Sequence, residues 1–244
     1  MSRKGLAQNM TTRLERRPRI VFFDAGGVLV ELPNAGRVVK EALQSLGCTI
    51  PDEEILRAAL QASRNEMEKA GPIDLLWPPR AEDDQALAGA IVLGKLLGLP
   101  PERAWYLRDT CYLMHNLHVY QDAAISLQQL AAAGYAIGLI SNAPPSLRGK
   151  LHLFGLSSYL DPIVISSEAG IAKPNPEIYH LALRRWGGDA VDALFVDDLS
   201  ENISGARAVG MQALHLDRSG HTGDLHDLLE LVRELTATVA PTPM

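Results

Sequence analysis

Residues 21–29 read Val21-Phe22-Phe23-Asp24-Ala25-Gly26-Gly27-Val28-Leu29, an apolar run followed by an acidic residue and two glycines. Together with the preceding Ile20, its apolar start predicts a short buried strand, Ile20–Phe23, because continuous apolar runs are typical of strands in parallel sheets. Asp24 then stands at the carboxyl end of that strand, and two glycines allow a tight turn directly after it. A carboxylate in this position either caps a turn or performs chemistry, and this motif alone does not separate the two roles.

Further apolar segments repeat the strand pattern along the rest of the chain. They are bounded by turn residues and predict strands over 136–140, 163–165, 193–196 and 213–216. Helical patterns accompany them, over 123–133, 147–154, 177–186 and 202–209. Strands that alternate with helices predict an α/β fold, a Rossmann-like doubly wound parallel sheet.

Residues 33–116 interrupt this alternation, because they carry only helical patterns, over 38–46, 53–69, 85–97 and 102–114. We therefore predict a mobile polar arm over 1–18, a catalytic core made of 19–32 and 117–238, and an all-helical cap inserted over 33–116. Ligands bind beyond the carboxyl ends of the strands in such sheets, so the cap would cover the site. A final helix over 224–235 is expected to cover one edge of the sheet.

The composition favours a globular protein that acts on a small substrate. Hydrophobic residues make up 47% of the 244, and the net charge of −6 disfavours binding to nucleic acid through many phosphates. The basic residues 1–20 lack the apolar run of a signal peptide, and no apolar stretch reaches the roughly 20 residues that span a bilayer. Cys48 and Cys111 stand alone, as in a reducing compartment. We expect a cytoplasmic protein without nucleic-acid or membrane partners; the oligomeric state is not determined, and a homodimer stays open.

Polar residues follow the predicted strands at the edge where Asp24 lies. They are Ser141-Asn142, Lys173-Pro174 and Asp197-Asp198. Phosphoryl transfer needs a nucleophilic carboxylate, hydroxyl and amide donors, a cation, and further carboxylates that bind Mg2+. The set therefore indicates this chemistry.

Each of these residues also has a structural interpretation. Ser141 could cap a turn, Lys173 could be solvated, and Asp198 could cap a helix as the partner of Glu201. Asn142 could offer its amide to a phosphate or a leaving group, or only shape its turn. These alternatives stay open from the residues alone.

Taken together, the order and spacing of these residues over 20–211 resemble the haloacid dehalogenase-like superfamily. The segments 167–176, SEAGIAKPNP, and 195–202, FVDDLSEN, are especially similar to the subfamily with a helical cap inserted after the first motif. The resemblance implies a hydrolase that uses Mg2+ and acts on a small phosphorylated metabolite.

The resemblance also implies roles for individual residues. Asp24 would attack phosphorus to form an aspartyl-phosphate, Ser141 would donate a hydrogen bond to the transferring group, and Lys173 would offset negative charge. Mg2+ would be bound by Asp24, the Gly26 carbonyl and Asp197, and Asp198 would complete its shell directly or through water. Apart from the resemblance, Asn202 lies in the first turn of the predicted helix after the acidic pair, where it could orient Asp198 or simply be solvated.

One position departs from the family pattern. Phosphatases of this superfamily usually carry a second Asp two residues after the nucleophile, where this chain has Gly26. That Asp protonates the leaving alcohol, a contribution typically worth about 10²- to 10⁴-fold. A phosphatase limited to good leaving groups, dehalogenase or phosphonate-cleaving chemistry, and a binding protein without turnover therefore all stay open. The adjacent carboxylates of Asp197 and Asp198 favour metal-assisted phosphoryl chemistry, because a dehalogenase has no phosphate to neutralise.

The cap region is expected to select the substrate, which the sequence does not reveal. Candidate contacts are Arg37, Arg57, Arg64, Lys69, Trp77, Arg80 and Trp105. A phosphonate-cleaving enzyme would need a cap lysine, for which Lys40, Lys69 and Lys95 are the candidates. Packing and solvation explain most of these residues equally well.

Overall fold

A five-stranded parallel sheet forms the core of the protein. The computed structural model describes residues 14–31, 34–69, 79–111 and 116–237. The strands are β1 (Ile20–Phe23), β4 (Ala136–Ser141), β5 (Ile163–Ile165), β6 (Ala193–Asp197) and β7 (Gln212–His215), in the spatial order β5-β4-β1-β6-β7. The register places Ile20 opposite Ala136 on one side and Ala193 on the other. The predicted doubly wound sheet is confirmed: β1 and β5 have the predicted bounds, and the bounds of β4, β6 and β7 differ from the predictions by one residue.

Helices cover both faces of the sheet. One face packs against α5 (Gln121–Ala132), α6 (Ser146–Leu153) and α10 (Leu228–Thr236), and the other against α8 (Pro176–Trp186) and α9 (Ser200–Ala208). Because side chains alternate along a strand, β1 places Val21 and Phe23 in the first cluster and Ile20 and Phe22 in the second. This two-sided burial explains why the strands have continuous apolar sequences.

An all-helical insertion lies between β1 and β4 in the chain, as predicted. It contains α1 (Ala35–Ser45), α2 (Glu53–Lys69), α3 (Pro79–Leu96) and α4 (Ala104–Cys111), with a 3-10 turn at Pro101–Arg103. The buried residues of its own cluster include Val39, Leu43, Leu56, Leu93 and Leu107. Helix α3 begins six residues before the predicted start at 85, because a proline is tolerated in the first turn, where its missing N–H is not needed.

A small antiparallel ribbon joins the insertion to the core, and the sequence did not predict it. The strands β2 (Val30–Glu31) and β3 (His118–Val119) pair Val30 with Val119. Each strand has two residues, which is too short to show an alternating pattern. The ribbon brings the exit and the return of the inserted chain side by side.

The remaining elements are short. Helix α7 (Ser166–Ala169) follows β5, and a 3-10 turn precedes β6 at Ala190–Asp192. Helix α10 starts later than predicted, because Asp227 caps it by accepting a bond from the Glu230 amide, so 216–227 is a loop.

The predicted polar arm is described only over its last residues. Residues 1–13 lie outside the described chain, and 14–18 contact the core: Arg16 exchanges backbone hydrogen bonds with the Gln212 side chain, and Arg17 donates to the Tyr135 hydroxyl. Among the described residues, no helix combines the length and the apolar character needed to cross a membrane.

Candidate active site

Side chains from neighbouring strands converge at the carboxyl edge of the sheet. Asp24 follows β1 directly and its amide donates to the Val196 carbonyl at 2.9 Å. Ser141 is the last residue of β4, and Asp197 is the last residue of β6. Because β4, β1 and β6 are adjacent, the three side chains meet, and all are buried.

Lys173 lies between two of these carboxylates. Its Nζ is 2.8 Å from Asp24 Oδ1 and 2.6 Å from Asp197 Oδ2, and its side chain is 1% exposed. The directed hydrogen bond goes to Asp197, so the contact with Asp24 is mainly one of charge. Burying an ammonium group requires such partners. The solvated interpretation of Lys173 therefore does not apply.

Asn142 determines where Lys173 lies. Its side-chain amide donates to the Lys173 carbonyl at 2.9 Å, and its side-chain oxygen accepts from the Lys173 amide at 2.8 Å. The pair of bonds joins the loop after β4 to the loop that carries Lys173. The expectation that Asn142 binds a phosphate stays a prediction; the contact in the structure is with the backbone of Lys173.

Both carboxylate oxygens of Asp197 accept hydrogen bonds. Its Oδ1 accepts from the Leu199 amide at 2.8 Å and from Asn202 Nδ2 at 3.0 Å, and its Oδ2 accepts from Asn202 at 3.1 Å besides Lys173. The expectation that Asn202 orients Asp198 is wrong, since the buried Asn202 contacts Asp197. Helix α9 starts at Ser200, so its first turn brings Asn202 back over the end of β6.

Asp198 lies on the other side, against the turn that follows Asp24. A Cβ added to Gly27 would lie 2.1 Å from Asp198 Oδ2, and Gly27 has a φ of +72°. Gly27 is therefore required both by its backbone conformation and by the approach of the carboxylate. Ligand oxygens of Asp24, Asp197 and Asp198 all lie within 4.8 Å of one another.

The clustered charges change the protonation of the acids. Burial, together with the negative charges of Asp24 and Asp197, raises the pKa of Asp198 to about 6. Burial also raises the pKa of Asp24, with Lys173 and Ser141 opposing the shift and Asp197 adding to it. Three ionised carboxylates carry more negative charge than the one ammonium group of Lys173 offsets. Oxygen ligands in such a cluster fit a hard divalent cation such as Mg2+.

The site residues predicted from the sequence are thus brought together at one edge. The cap candidates are not all described: the side chains of Arg64, Lys69, Trp77 and Arg80 lie outside the described part. Lys40 pairs with Glu53 at 2.5 Å, and Trp105 is exposed, with Arg108 over its ring. Arg218 and His215 were not predicted as site residues; they contact the backbone of this site from the loop after β7 and from the last residue of β7, respectively. No local motif distinguishes either residue.

A comparison with known families supports this arrangement. The sequence model described as haloacid dehalogenase-like hydrolase matches residues 18–210, which include the site residues predicted from the sequence. The chain belongs to the haloacid dehalogenase-like hydrolases.

Relatives of this hydrolase include proteins of different activity. Phosphatase MT3486 of Mycobacterium tuberculosis is 34% identical over 107 residues, covering 43% of this chain and 49% of that protein, so the chain spans about half the length of this relative. Ribulose-1,5-bisphosphate 5-phosphatase of Halopiger xanaduensis is 29% identical over 208 residues, covering 82% of this chain and 84% of that protein. The structure of L-2-haloacid dehalogenase from Xanthobacter autotrophicus matches with a TM-score of 0.59 at 23% identity, covering 92% of this chain and 85% of that chain. At this identity the last match shows the fold alone.

Proposed function

We propose that this hydrolase cleaves small-molecule phosphate monoesters with Mg2+, through an aspartyl-phosphate on Asp24. The observation that carries the proposal is the cluster of Asp24, Asp197 and Asp198, whose ligand atoms lie within 4.8 Å of one another beside the buried Lys173. Two relatives named as phosphatases support the same chemistry. A cytoplasmic location and a homodimer stay predictions.

The geometry favours different roles for the two adjacent acids, Asp197 and Asp198. Asp197 already receives bonds from Lys173, Leu199 and Asn202, which use its lone pairs and hold the lysine in place. Asp198 has the more accessible carboxylate. We therefore assign direct metal binding to Asp24, Asp198 and the Gly26 carbonyl, with Asp197 chiefly orienting Lys173. This modifies the ligand set that the resemblance implied.

In the proposed reaction an oxygen of Asp24 forms a bond to phosphorus while the ester bond to the leaving group breaks. The Ser141 hydroxyl and the Lys173 ammonium stabilise the negative charge on the phosphoryl oxygens. Bound Mg2+ supplies further positive charge to those oxygens. Water then attacks the aspartyl-phosphate, which releases inorganic phosphate and regenerates Asp24.

Gly26 limits the substrates that this mechanism accepts. Without a side chain there, no acid protonates the leaving oxygen from this position, so the proton comes from solvent or substrate. Esters with good leaving groups, such as aryl or acyl phosphates, are therefore expected to react faster than alkyl phosphates. The same glycine favours the second candidate function, a phospho-ligand-binding relative that is catalytically weak or inactive.

Dehalogenase or phosphonate-cleaving chemistry is less well supported. A halide leaving group needs no acid, which fits Gly26, but Asp198 would then add repulsion to the site without a metal to offset it. Phosphonate cleavage would need a cap lysine, and the one candidate with a described side-chain contact, Lys40, forms an ion pair with Glu53.

The test is steady-state hydrolysis of an activated aryl phosphate, together with sugar, nucleotide and carboxylic-acid phosphates, with and without Mg2+. Metal-dependent turnover that Asp24→Asn abolishes is the expected result. Turnover of the aryl ester alone would mean that the missing acid limits the enzyme. Mg2+ binding without any turnover would favour the binding function, and activity unchanged in Asp24→Asn would refute the proposed nucleophile.

A further inference from the structure

Arg218, in the loop between β7 and α10, donates hydrogen bonds to the backbone of the turn that follows Asp24. Its Nε donates to the Gly27 carbonyl at 3.1 Å, and its Nη2 donates to the Val28 carbonyl at 2.6 Å. Its Nη1 lies 3.1 Å from Asp122 Oδ2, and its guanidinium carbon lies 3.7 Å from the centre of the Tyr120 ring. The three guanidinium nitrogens thus bind different partners while the plane stacks on an aromatic ring.

The loop around Arg218 is built to hold it in this position. Asp217 accepts hydrogen bonds from the amides and hydroxyls of both Ser219 and Thr222, at distances from 2.5 to 2.9 Å. Gly223 has a φ of +93°, and a Cβ there would lie 2.9 Å from Asp217 Cβ. These hydrogen bonds within the loop stabilise its backbone conformation, so Arg218 extends from an ordered segment.

The partners of Arg218 belong to two functional regions. Gly27 and Val28 lie in the turn that carries the Gly26 carbonyl, and Gly27 borders Asp198. Tyr120 follows the ribbon strand β3, and its amide donates to the Leu29 carbonyl at 3.1 Å. One side chain therefore connects the nucleophile turn with the point where the inserted helices return to the core.

His215, at the end of β7, contacts the backbone of the second segment of the site, at Asp198. Its Nε2 lies 2.9 Å from the Asp198 carbonyl oxygen. The end of β7 and the loop after it therefore contact the backbone of both chain segments that carry the assigned metal ligands.

We propose that Arg218 is a positioning residue, which holds the turn 25–28 against Asp198 so that both present their oxygens to one cation. This inference rests on the proposed function, since it assumes Mg2+ at this site. A lysine at 218 would keep the charge but would lack the planar fork, so it could not bind both carbonyls and Asp122 at once.

The test compares Arg218→Lys with Arg233→Lys, a change of the same chemistry at an exposed arginine on α10 whose pair with Asp227 is 4.0 Å long. Calorimetry measures Mg2+ affinity, and hydrogen exchange measures protection of the amides of residues 25–30. We expect Arg218→Lys to weaken Mg2+ binding about tenfold or more, as for other groups that orient metal ligands. We also expect faster exchange in the turn, with Arg233→Lys matching the unchanged protein.

The outcomes separate this inference from the proposed function. Unchanged Mg2+ affinity or unchanged exchange in a folded Arg218→Lys protein would overturn it, and so would equal effects in Arg233→Lys. If the unchanged protein bound no Mg2+, the proposed function would fail, while the exchange data would still decide whether Arg218 holds the turn. Should Arg218→Lys not fold, Tyr120→Leu removes the ring that stacks on Arg218 and keeps an apolar side chain against the core. It is expected to weaken Mg2+ binding about threefold, and unchanged affinity there would overturn the inference.

Discussion

Replacing Asp198 with asparagine is expected to stabilise the metal-free protein near neutral pH and to remove its stabilisation by Mg2+. Asp198 has a pKa raised from 3.8 to about 6, because burial and two neighbouring acids disfavour its charge. Above that pKa the folded protein must hold a carboxylate that the unfolded chain would solvate better. Asparagine has a similar shape and no charge, so it relieves this repulsion.

The magnitude follows from the size of the shift. A displacement from 3.8 to about 6 corresponds to roughly 3 kcal/mol for a fully buried group. Asp198 is only partly buried, so solvent screening reduces the expected gain to roughly 1–2 kcal/mol. For a chain of this size, that gain raises the melting temperature by roughly 2–8 °C.

The pH dependence has a defined direction. Because the folded pKa is raised, the protonated acid is tolerated at low pH, and the penalty develops as the pH rises from about 4 to about 6. The advantage of Asp198→Asn over the unchanged protein should therefore be complete at about pH 7.5 and smaller at about pH 5. Saturating Mg2+ should reverse the order, since about 100-fold excess over the dissociation constant stabilises by roughly 2.7 kcal/mol and only the unchanged protein binds it well.

The assay is thermal unfolding with EDTA or Mg2+ at both pH values, followed by circular dichroism. Glu41→Gln is the matched control, because it removes one negative charge from an exposed side chain of the cap. If metal-free Asp198→Asn melted at or below the unchanged protein near neutral pH, the repulsion would be wrongly assigned. If Mg2+ stabilised both proteins equally, Asp198 would not be a metal ligand.

Three further substitutions test other parts of the site. Gly27→Ala should destabilise the protein by roughly 1–3 kcal/mol more than Gly47→Ala, because both glycines have positive φ but a Cβ at Gly27 would also meet the Asp198 carboxylate. Urea unfolding measures the difference, and equal losses would contradict this. Lys173→Met should lower the free energy of unfolding by roughly 3–5 kcal/mol, because it leaves two buried carboxylates without their cation, and a loss under about 1 kcal/mol would show that the pair is well hydrated. The φ of Gly26 is not positive, so an aspartate can adopt the backbone conformation at this position. Gly26→Asp is expected to increase the turnover of alkyl phosphates by roughly 10²-fold while changing that of aryl phosphates little, because it adds an acid that protonates the leaving oxygen. No gain in the steady-state rates would mean that the proton has another source.

The strands and the acidic edge were predictable because their signals are local. Continuous apolar runs that end in Asp24, Ser141 and Asp197 show where each strand stops, and parallel strands end at one edge of the sheet. The start of α10 was misplaced, because the cap at Asp227 depends on a loop whose bonds are not visible as a periodic pattern. The ribbon of β2 and β3 was missed because strands of two residues are too short to show an alternating pattern.

The sheet, the helical insertion and the identity of the acids and the lysine follow from the amino-acid sequence, because apolar periodicity and residue chemistry are read along the chain. The partners that these residues contact depend on the tertiary structure. It placed Asn202 on Asp197, Asn142 on the backbone of Lys173, and Arg218 across 190 residues on the Val28 carbonyl. Contacts between residues so distant in sequence depend on the packing of the loops around the sheet, and no local pattern encodes that packing.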